Sequence, residues 1–80
     1  MRSVSYTVAA TKQLSKLPAG IRDRIIDKIT RYAATGAGKV TKLTGQPGAR
    51  LRVGDYRAIF TETSTDILVL AAGHRREIYR

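Results

Sequence analysis

The segment Arg50-Leu51-Arg52-Val53-Gly54-Asp55-Tyr56-Arg57 decides the fold, because it has the pattern of a β-hairpin. Glycine at the first central position of a two-residue turn suits a type II′ turn. With Gly54 and Asp55 as that turn, Val53 is predicted to lie opposite Tyr56 and Arg52 opposite Arg57. Successive side chains of a strand point to opposite faces. One face is therefore predicted to be apolar and to contact helices, with Leu51, Val53, Tyr56, Ala58 and Phe60, and the other to carry Arg50, Arg52 and Arg57.

Patterns outward from the hairpin predict an α+β domain spanning residues 1–80. Val4, Tyr6 and Val8 alternate with polar residues, which indicates a short strand, and residues 9–17 have helical periodicity. A second helix is predicted from Ile21 to the glycines that start at residue 36, and Pro18 either ends the first helix or opens the second. Residues 36–49 are predicted to be a loop, and residues 49–53, 56–62 and 66–72 to be strands. The resulting order, β-α-α-β-β-β, predicts a small antiparallel sheet with both helices on one face.

Composition favours a soluble protein with a polyanionic partner. Fifteen Lys and Arg stand against six Asp and Glu, which gives a net charge of +9. A basic domain gains affinity for nucleic acid by releasing counterions, so nucleic acid is the first candidate partner, an acidic protein the second and a membrane surface the third. The N-terminus lacks the apolar run of a signal peptide, and no apolar stretch approaches the roughly 20 residues of a membrane span. The chain has no cysteine, so disulfides and thiolate metal sites are excluded.

The three predicted hairpin arginines favour anion binding. Like charges directly across a ladder are destabilising, so this arrangement does not serve folding. The alternative is that these side chains simply stay hydrated on an open sheet face. A second basic cluster, Gly73-His74-Arg75-Arg76-Glu77-Ile78-Tyr79-Arg80, follows the last predicted strand and favours an anion-binding face over that alternative.

Other residue types give little sign of a cofactor or metal site. His74 is the only histidine, and the carboxylates are scattered along the chain, so no metal-ligating set is visible. Histidine is a residue type suited to proton transfer, but a surface role is the more common one for a histidine at a strand end such as His74. Tyr79, in the charged terminus, is an open choice between an ordinary tyrosine and a base-stacking or catalytic group.

Several segments together resemble a known family. They are Tyr6-Thr7-Val8, Leu14-Ser15-Lys16-Leu17-Pro18, Lys42-Leu43-Thr44-Gly45, the 50–57 hairpin and Gly73-His74-Arg75-Arg76-Glu77-Ile78-Tyr79. In this order and spacing the chain resembles the RelE/ParE superfamily of bacterial toxins of type II toxin–antitoxin systems. The resemblance is greatest to its RelE-like branch of ribosome-dependent mRNA endonucleases, and it implies a RelE-like fold.

The resemblance implies cleavage of mRNA in the ribosomal A site, without metal or cofactor, by attack of the ribose 2′-OH on the adjacent phosphate. By position, Arg50, Arg57, Arg75 and Tyr79 correspond to catalytic residues, and Tyr79 to the tyrosine that stacks on the mRNA base. RNA binding is expected of Arg52, Lys42, His74 and Arg76. A second basic residue of the family falls at or near Gly48 here, and arginine is a poor replacement for a lysine base. Lys42, Arg52 or His74 are the candidates to take part instead.

The resemblance also implies partners and a location. They are an acidic RelB-like antitoxin, in a heterotetramer or larger complex, and the ribosome with its 16S rRNA and mRNA in the cytoplasm. Three alternatives stay open: a ParE-like inhibitor of DNA gyrase, a basic nucleic-acid-binding module that cuts nothing, and a degenerate toxin that only binds its antitoxin.

Overall fold

The computed structural model describes residues 1–74 and 76, which form two helices and one five-stranded sheet. The elements are β1 (Ser3–Tyr6), α1 (Val8–Ser15), α2 (Ala19–Thr35), β2 (Val40–Lys42), β3 (Ala49–Val53), β4 (Tyr56–Glu62) and β5 (Asp66–His74). The predicted α+β class and the three C-terminal strands are confirmed. β5 is two residues longer than predicted.

The sheet has the order β1-β5-β4-β3-β2 and is mixed rather than wholly antiparallel. β1 pairs parallel with β5, while the other three pairings are antiparallel. The chain crosses from β1 through both helices before it returns to the sheet, and such a crossover is what a parallel neighbour requires. The prediction of a loop throughout 36–49 was wrong at Val40–Lys42, which adds a short edge strand beside β3.

The hairpin of β3 and β4 has the predicted register. Val53 lies opposite Tyr56 and Arg52 opposite Arg57, and the pairing continues to Ala49 and Phe60. Gly54 has φ of 60°, whereas no non-glycine residue that the structure describes has positive φ. A single left-handed residue at the first central position is the signature of a type II′ turn.

The first helix begins earlier than its periodicity suggested. Thr7 is the N-cap: its hydroxyl accepts a hydrogen bond from the Ala10 N–H at 3.0 Å, and the helix starts at Val8. Val8 was predicted to continue β1 but is instead a helical residue with 73% of its surface exposed. Capping thus overrides the alternation of Val4 and Tyr6, because an N-cap hydroxyl contributes about 0.5–2 kcal/mol to a helix start.

The core lies between the helices and the apolar face of the sheet. On α2, Ile25, Ile29 and Ala33 are buried at helical spacing, and the helix ends at Gly36 with φ of 77°. Pro18 stands at the N-cap of α2, so it opens the second helix. From the sheet, the buried side chains are Ala49, Leu51, Val53, Ala58, Phe60, Ile67, Val69 and Ala72. No helix within the described part of the chain is both long and apolar enough to cross a membrane.

A bulge in β5 changes which face its last residues occupy. Phe60 pairs with Val69 whereas Ile59 pairs with Ala71, so one residue, Leu70, is extra on β5. Helix α1 satisfies the backbone at this point. The Thr7 hydroxyl donates to the Leu70 carbonyl at 3.1 Å, and the Gln13 Oε1 accepts from the Ala72 N–H at 2.8 Å. Because a one-residue shift exchanges the two faces of a strand, everything after Leu70 is turned over.

Candidate functional site

Three arginines share the sheet face opposite the helices, as the hairpin register predicted. We call Arg50, Arg52 and Arg57 the arginine face. Arg52 and Arg57 are directly opposite each other, while Arg50 lies two residues along β3, opposite Ile59 of β4 and Thr41 of β2. Arg52 is exposed, and Arg50 and Arg57 are partly buried. Each guanidinium is planar and can donate two parallel hydrogen bonds to the oxygens of one phosphate.

Arg57 is at the centre of this surface. Its strand, β4, lies between β3 and β5, and its neighbour across β5 is Gly73. Gly73 contributes no side chain and is itself buried, and the Nε atom of Arg57 is buried as well. A partly buried arginine with a like charge on one side and a glycine on the other is suited to hold an anion close to the sheet.

The structure places His74 on the other face of the sheet. His74 pairs with Tyr56, which has the same parity as the buried Val53 and Ala58, and the two rings meet edge to face with centroids 5.4 Å apart. Its Nδ1 accepts a hydrogen bond from the Arg76 backbone N–H at 3.3 Å. The bulge at Leu70 is the cause, since an unbroken ladder would have put His74 beside the arginines. His74 therefore does not join the arginine face.

Lys42 is likewise separated from the arginines. It pairs with Ala49, whose side chain is buried in the core, whereas its neighbour Thr41 pairs with Arg50. Lys42 therefore lies on the opposite face of the sheet from Arg50, and its RNA-binding role stays a prediction. Its position was not predictable from periodicity, because a strand of three residues is too short to show an alternation.

Gly48 is where the family resemblance called for a basic side chain, and the backbone explains its absence. Its φ is 114°, a conformation that side chains rarely adopt, and a Cβ there would lie 3.1 Å from the Phe60 carbonyl oxygen. Glycine is therefore required by the path of the chain into β3. A basic residue at this position would need a different backbone.

Of the remaining predicted site residues, the structure describes only Arg76. Arg75 and Tyr79 lie outside the described residues, and so do the last positions of the C-terminal cluster. Arg76 is exposed. In residues 1–74 and 76, no group of three or more His, Cys, Asp or Glu could hold a metal ion.

A polar cluster that sequence reasoning missed fixes the N-terminus on the helix side. Arg2 forms an ion pair with Glu62, and its guanidinium carbon lies 4.8 Å from the centre of the Tyr32 ring. The Tyr32 hydroxyl donates to the Glu62 carboxylate at 2.9 Å. Burial, followed by the hydrogen bond and negative charge of Glu62, raises the pKa of Tyr32, and burial raises the pKa of Tyr6. Since this cluster is remote from the arginine face by register, its role is structural.

Comparisons of sequence and of structure with known proteins agree on the family of this chain. The sequence model of the family described as "ParE toxin of type II toxin-antitoxin system, parDE" matches residues 4–79. The RelE chain of the RelB–RelE complex from Methanococcus jannaschii is 25% identical with a TM-score of 0.76, covering 92% of this chain and 93% of that one. The isolated RelE toxin of E. coli has a TM-score of 0.79 at 20% identity, covering 99% and 92%. No curated protein matches.

Proposed function

This chain belongs to the ParE toxin family of the RelE/ParE superfamily, and from that premise we propose that it is a ribosome-dependent mRNA endoribonuclease. The toxin of a type II toxin–antitoxin system needs a target, and the arginine face supports mRNA. Arg52 and Arg57 lie directly opposite each other on one sheet face, where like charges destabilise the ladder and a phosphate would bind to both guanidiniums. That crowding, with Arg52 directly across from Arg57, is the observation that carries the proposal.

The proposed reaction is attack of a ribose 2′-OH on the adjacent phosphorus. The O2′–P bond forms and the P–O5′ bond breaks, leaving a 2′,3′-cyclic phosphate and a 5′-hydroxyl. The 2′-OH loses its proton to a base, and the departing O5′ receives a proton from an acid. The phosphorane carries more negative charge than the ground state, so fixed guanidiniums stabilise it selectively. Arg57, partly buried beside Gly73, is proposed to hold this phosphate, with Arg50 and Arg52 binding the strand on either side.

In this proposal the three residues of the arginine face do not transfer protons. Arginine hardly deprotonates in proteins, so Arg50, Arg52 and Arg57 are suited to charge neutralisation and positioning only. Lys42 and His74 lie on the opposite face of the sheet from these arginines. In this proposal the ribosome holds the message in the reactive geometry, and Arg75 and Tyr79 complete the site, Tyr79 by stacking on a base. Correct alignment of the attacking and leaving oxygens is itself a large part of the rate.

The proposal includes the partners of a toxin. An acidic RelB-like antitoxin would bind this +9 protein in a heterotetramer or larger complex and keep the arginine face from RNA. The fold of the chain is that of RelE chains found with RelB in Methanococcus jannaschii and E. coli complexes. The site of action would be the ribosomal A site, against 16S rRNA, in the cytoplasm.

A second candidate is inhibition of DNA gyrase, which the description of the matching family as ParE favours. It requires no RNA cleavage and no arginine pair across β3 and β4. Gyrase-dependent DNA breaks after expression, with intact mRNA, would support it.

The test compares Arg57→Ala with Arg22→Ala in a purified translation system. Both changes remove one charge, but Arg22 lies on α2 with Asp23 at 3.5 Å. We expect Arg57→Ala to lower cleavage by about 10²–10³-fold, as for loss of one preorganised donor to a transition-state anion. Arg22→Ala should cut like wild type. Equal cleavage by wild type and Arg57→Ala would refute the proposal.

A further inference from the structure

A basic cleft lies at the edge of β3, on the side of α2. It has a volume of about 650 Å³, and four cations line it: Arg24 and Lys28 of α2, Lys39 before β2, and Arg52 of β3. One carboxylate, Asp55, is also in its wall. β2 pairs with Ala49 to Leu51, and the Arg52 N–H donates to the Lys39 carbonyl at 3.0 Å just before β2 begins. The cleft lies where this pairing ends, at Arg52 and Val53.

The charge pattern of α2 leaves the cations of the cleft un-neutralised. Arg22 lies 3.5 Å from Asp23, and Arg31 lies 4.0 Å from Asp27 one turn away. Arg24 and Lys28 are also one turn apart, but they form no such pair with any described carboxylate. The helix thus separates a self-compensated outer stripe from a basic stripe along the cleft.

The cleft offers charge but no apolar anchor. Its two apolar wall residues, Leu51 and Val53, are only 1% and 6% exposed. A protein segment that binds tightly needs buried apolar or aromatic contacts, whereas a nucleic-acid backbone gains its affinity from counterion release at lysine and arginine. The cleft therefore fits a chain of phosphates better than an acidic peptide. Arg52 belongs both to the cleft and to the arginine face, so one chain of phosphates could run from one to the other around the edge of β3.

We propose that this cleft is a second RNA-backbone site, in which Arg24 and Lys28 bind phosphates outside the segment that is cut. The identity of the partner as RNA rests on the proposed function. The cleft fixes where the toxin sits on its target, while the arginine face acts on the scissile phosphate.

The test is the salt dependence of RNA binding, measured by fluorescence anisotropy with a labelled RNA hairpin whose 2′ positions are methylated so that it cannot be cut. The variant is Arg24→Gln/Lys28→Gln, and the matched control is Arg22→Gln/Arg31→Gln. Both doubles remove two charges from α2. Each lost phosphate contact lowers the slope of log K against log salt by about 0.7–0.9. We expect a drop of between 1 and 2 for the cleft double and a slope near that of wild type for the control.

Equal slopes for the two doubles would overturn the inference, because only net charge would then matter. If the cleft double binds RNA like wild type but loses binding to a glutamate-rich peptide, the cleft is a protein-docking site and the inference also fails. Thermal melts of both doubles confirm that each is folded. The proposed function is judged separately by cleavage. A reduced salt slope for the cleft double together with uncut mRNA would support the RNA-binding cleft and reject the nuclease activity. Cut mRNA together with unchanged slopes would support the nuclease activity and reject the RNA-binding cleft.

Discussion

Replacing Arg52 by threonine should make this protein more stable while weakening its hold on RNA. Arg52 is exposed and directly opposite Arg57 in the ladder, and its own side-chain contact, to the Gly54 carbonyl, is long at 3.4 Å. Two unit charges about 7 Å apart in a water-like medium repel by about 0.6 kcal/mol, within the roughly 0.2–1 kcal/mol of cross-strand pairs. Threonine also favours strands. For a domain of this size the gain corresponds to about 2–5 °C in Tm.

The control is Arg50→Thr, which removes the same charge from the same face of the same strand. Arg50 lies opposite Ile59 and Thr41 rather than directly opposite another arginine, so its removal relieves less like-charge repulsion. Thermal and urea unfolding at low salt and in 1 M NaCl, where the Debye length is about 3 Å, separate repulsion from packing. We expect a stabilisation in Arg52→Thr that disappears at high salt and is smaller in Arg50→Thr. Stability changes in the two variants with the same sign, size and salt dependence would refute the reasoning.

Three further predictions concern the stability of the fold. Gly48→Ala should lower the free energy of unfolding by about 1–3 kcal/mol, because it forces a residue with a side chain into a positive-φ backbone. Gly20→Ala, where a Cβ on α2 would meet nothing within 4 Å, should raise it by about 0.5–1 kcal/mol, and urea unfolding compares the two variants. Gln13→Met removes the acceptor of the Ala72 N–H at the bulge and should cost about 1–3 kcal/mol, seen as faster amide exchange in β5. The raised pKa of Tyr32 contributes stability that is complete below the unfolded value near 10 and is lost as pH rises through the folded one. Tyr32→Phe should therefore lose less stability than wild type over that alkaline range; an equal loss would contradict the assignment.

The hairpin shows how far local sequence determines the structure. Gly54 and Asp55 set a two-residue turn, and alternation then placed Arg52 opposite Arg57 without any long-range information. Two other features depended on partners distant in sequence. The alternation of β1 indicates a strand but not its neighbour, so the parallel pairing with β5 was not readable. Val40–Lys42 is a strand only because β3 lies beside it.

The sheet face of each residue was predictable from alternation in the hairpin, where the register is regular, but not in β5, where a bulge interrupts it. A single extra residue, Leu70, moves His74 to the helix side, and no local signal marks it. The side chains that hydrogen-bond to the backbone at this bulge, Thr7 and Gln13, lie at or in α1 and approach β5 only in the folded protein. Thr7 itself was a readable clue, as a threonine that could cap a helix, and it would have corrected the assignment of Val8.

The most direct test of the central claim is the position of cleavage on a message whose ribosomes are stalled at a known codon. Primer extension on that message, with purified protein added with and without ribosomes, gives the answer. The account predicts a cut within the A-site codon only when ribosomes are present, with a 2′,3′-cyclic phosphate on the upstream fragment. An intact message, or the same cuts without ribosomes, would contradict it and leave the arginine face as a binding surface.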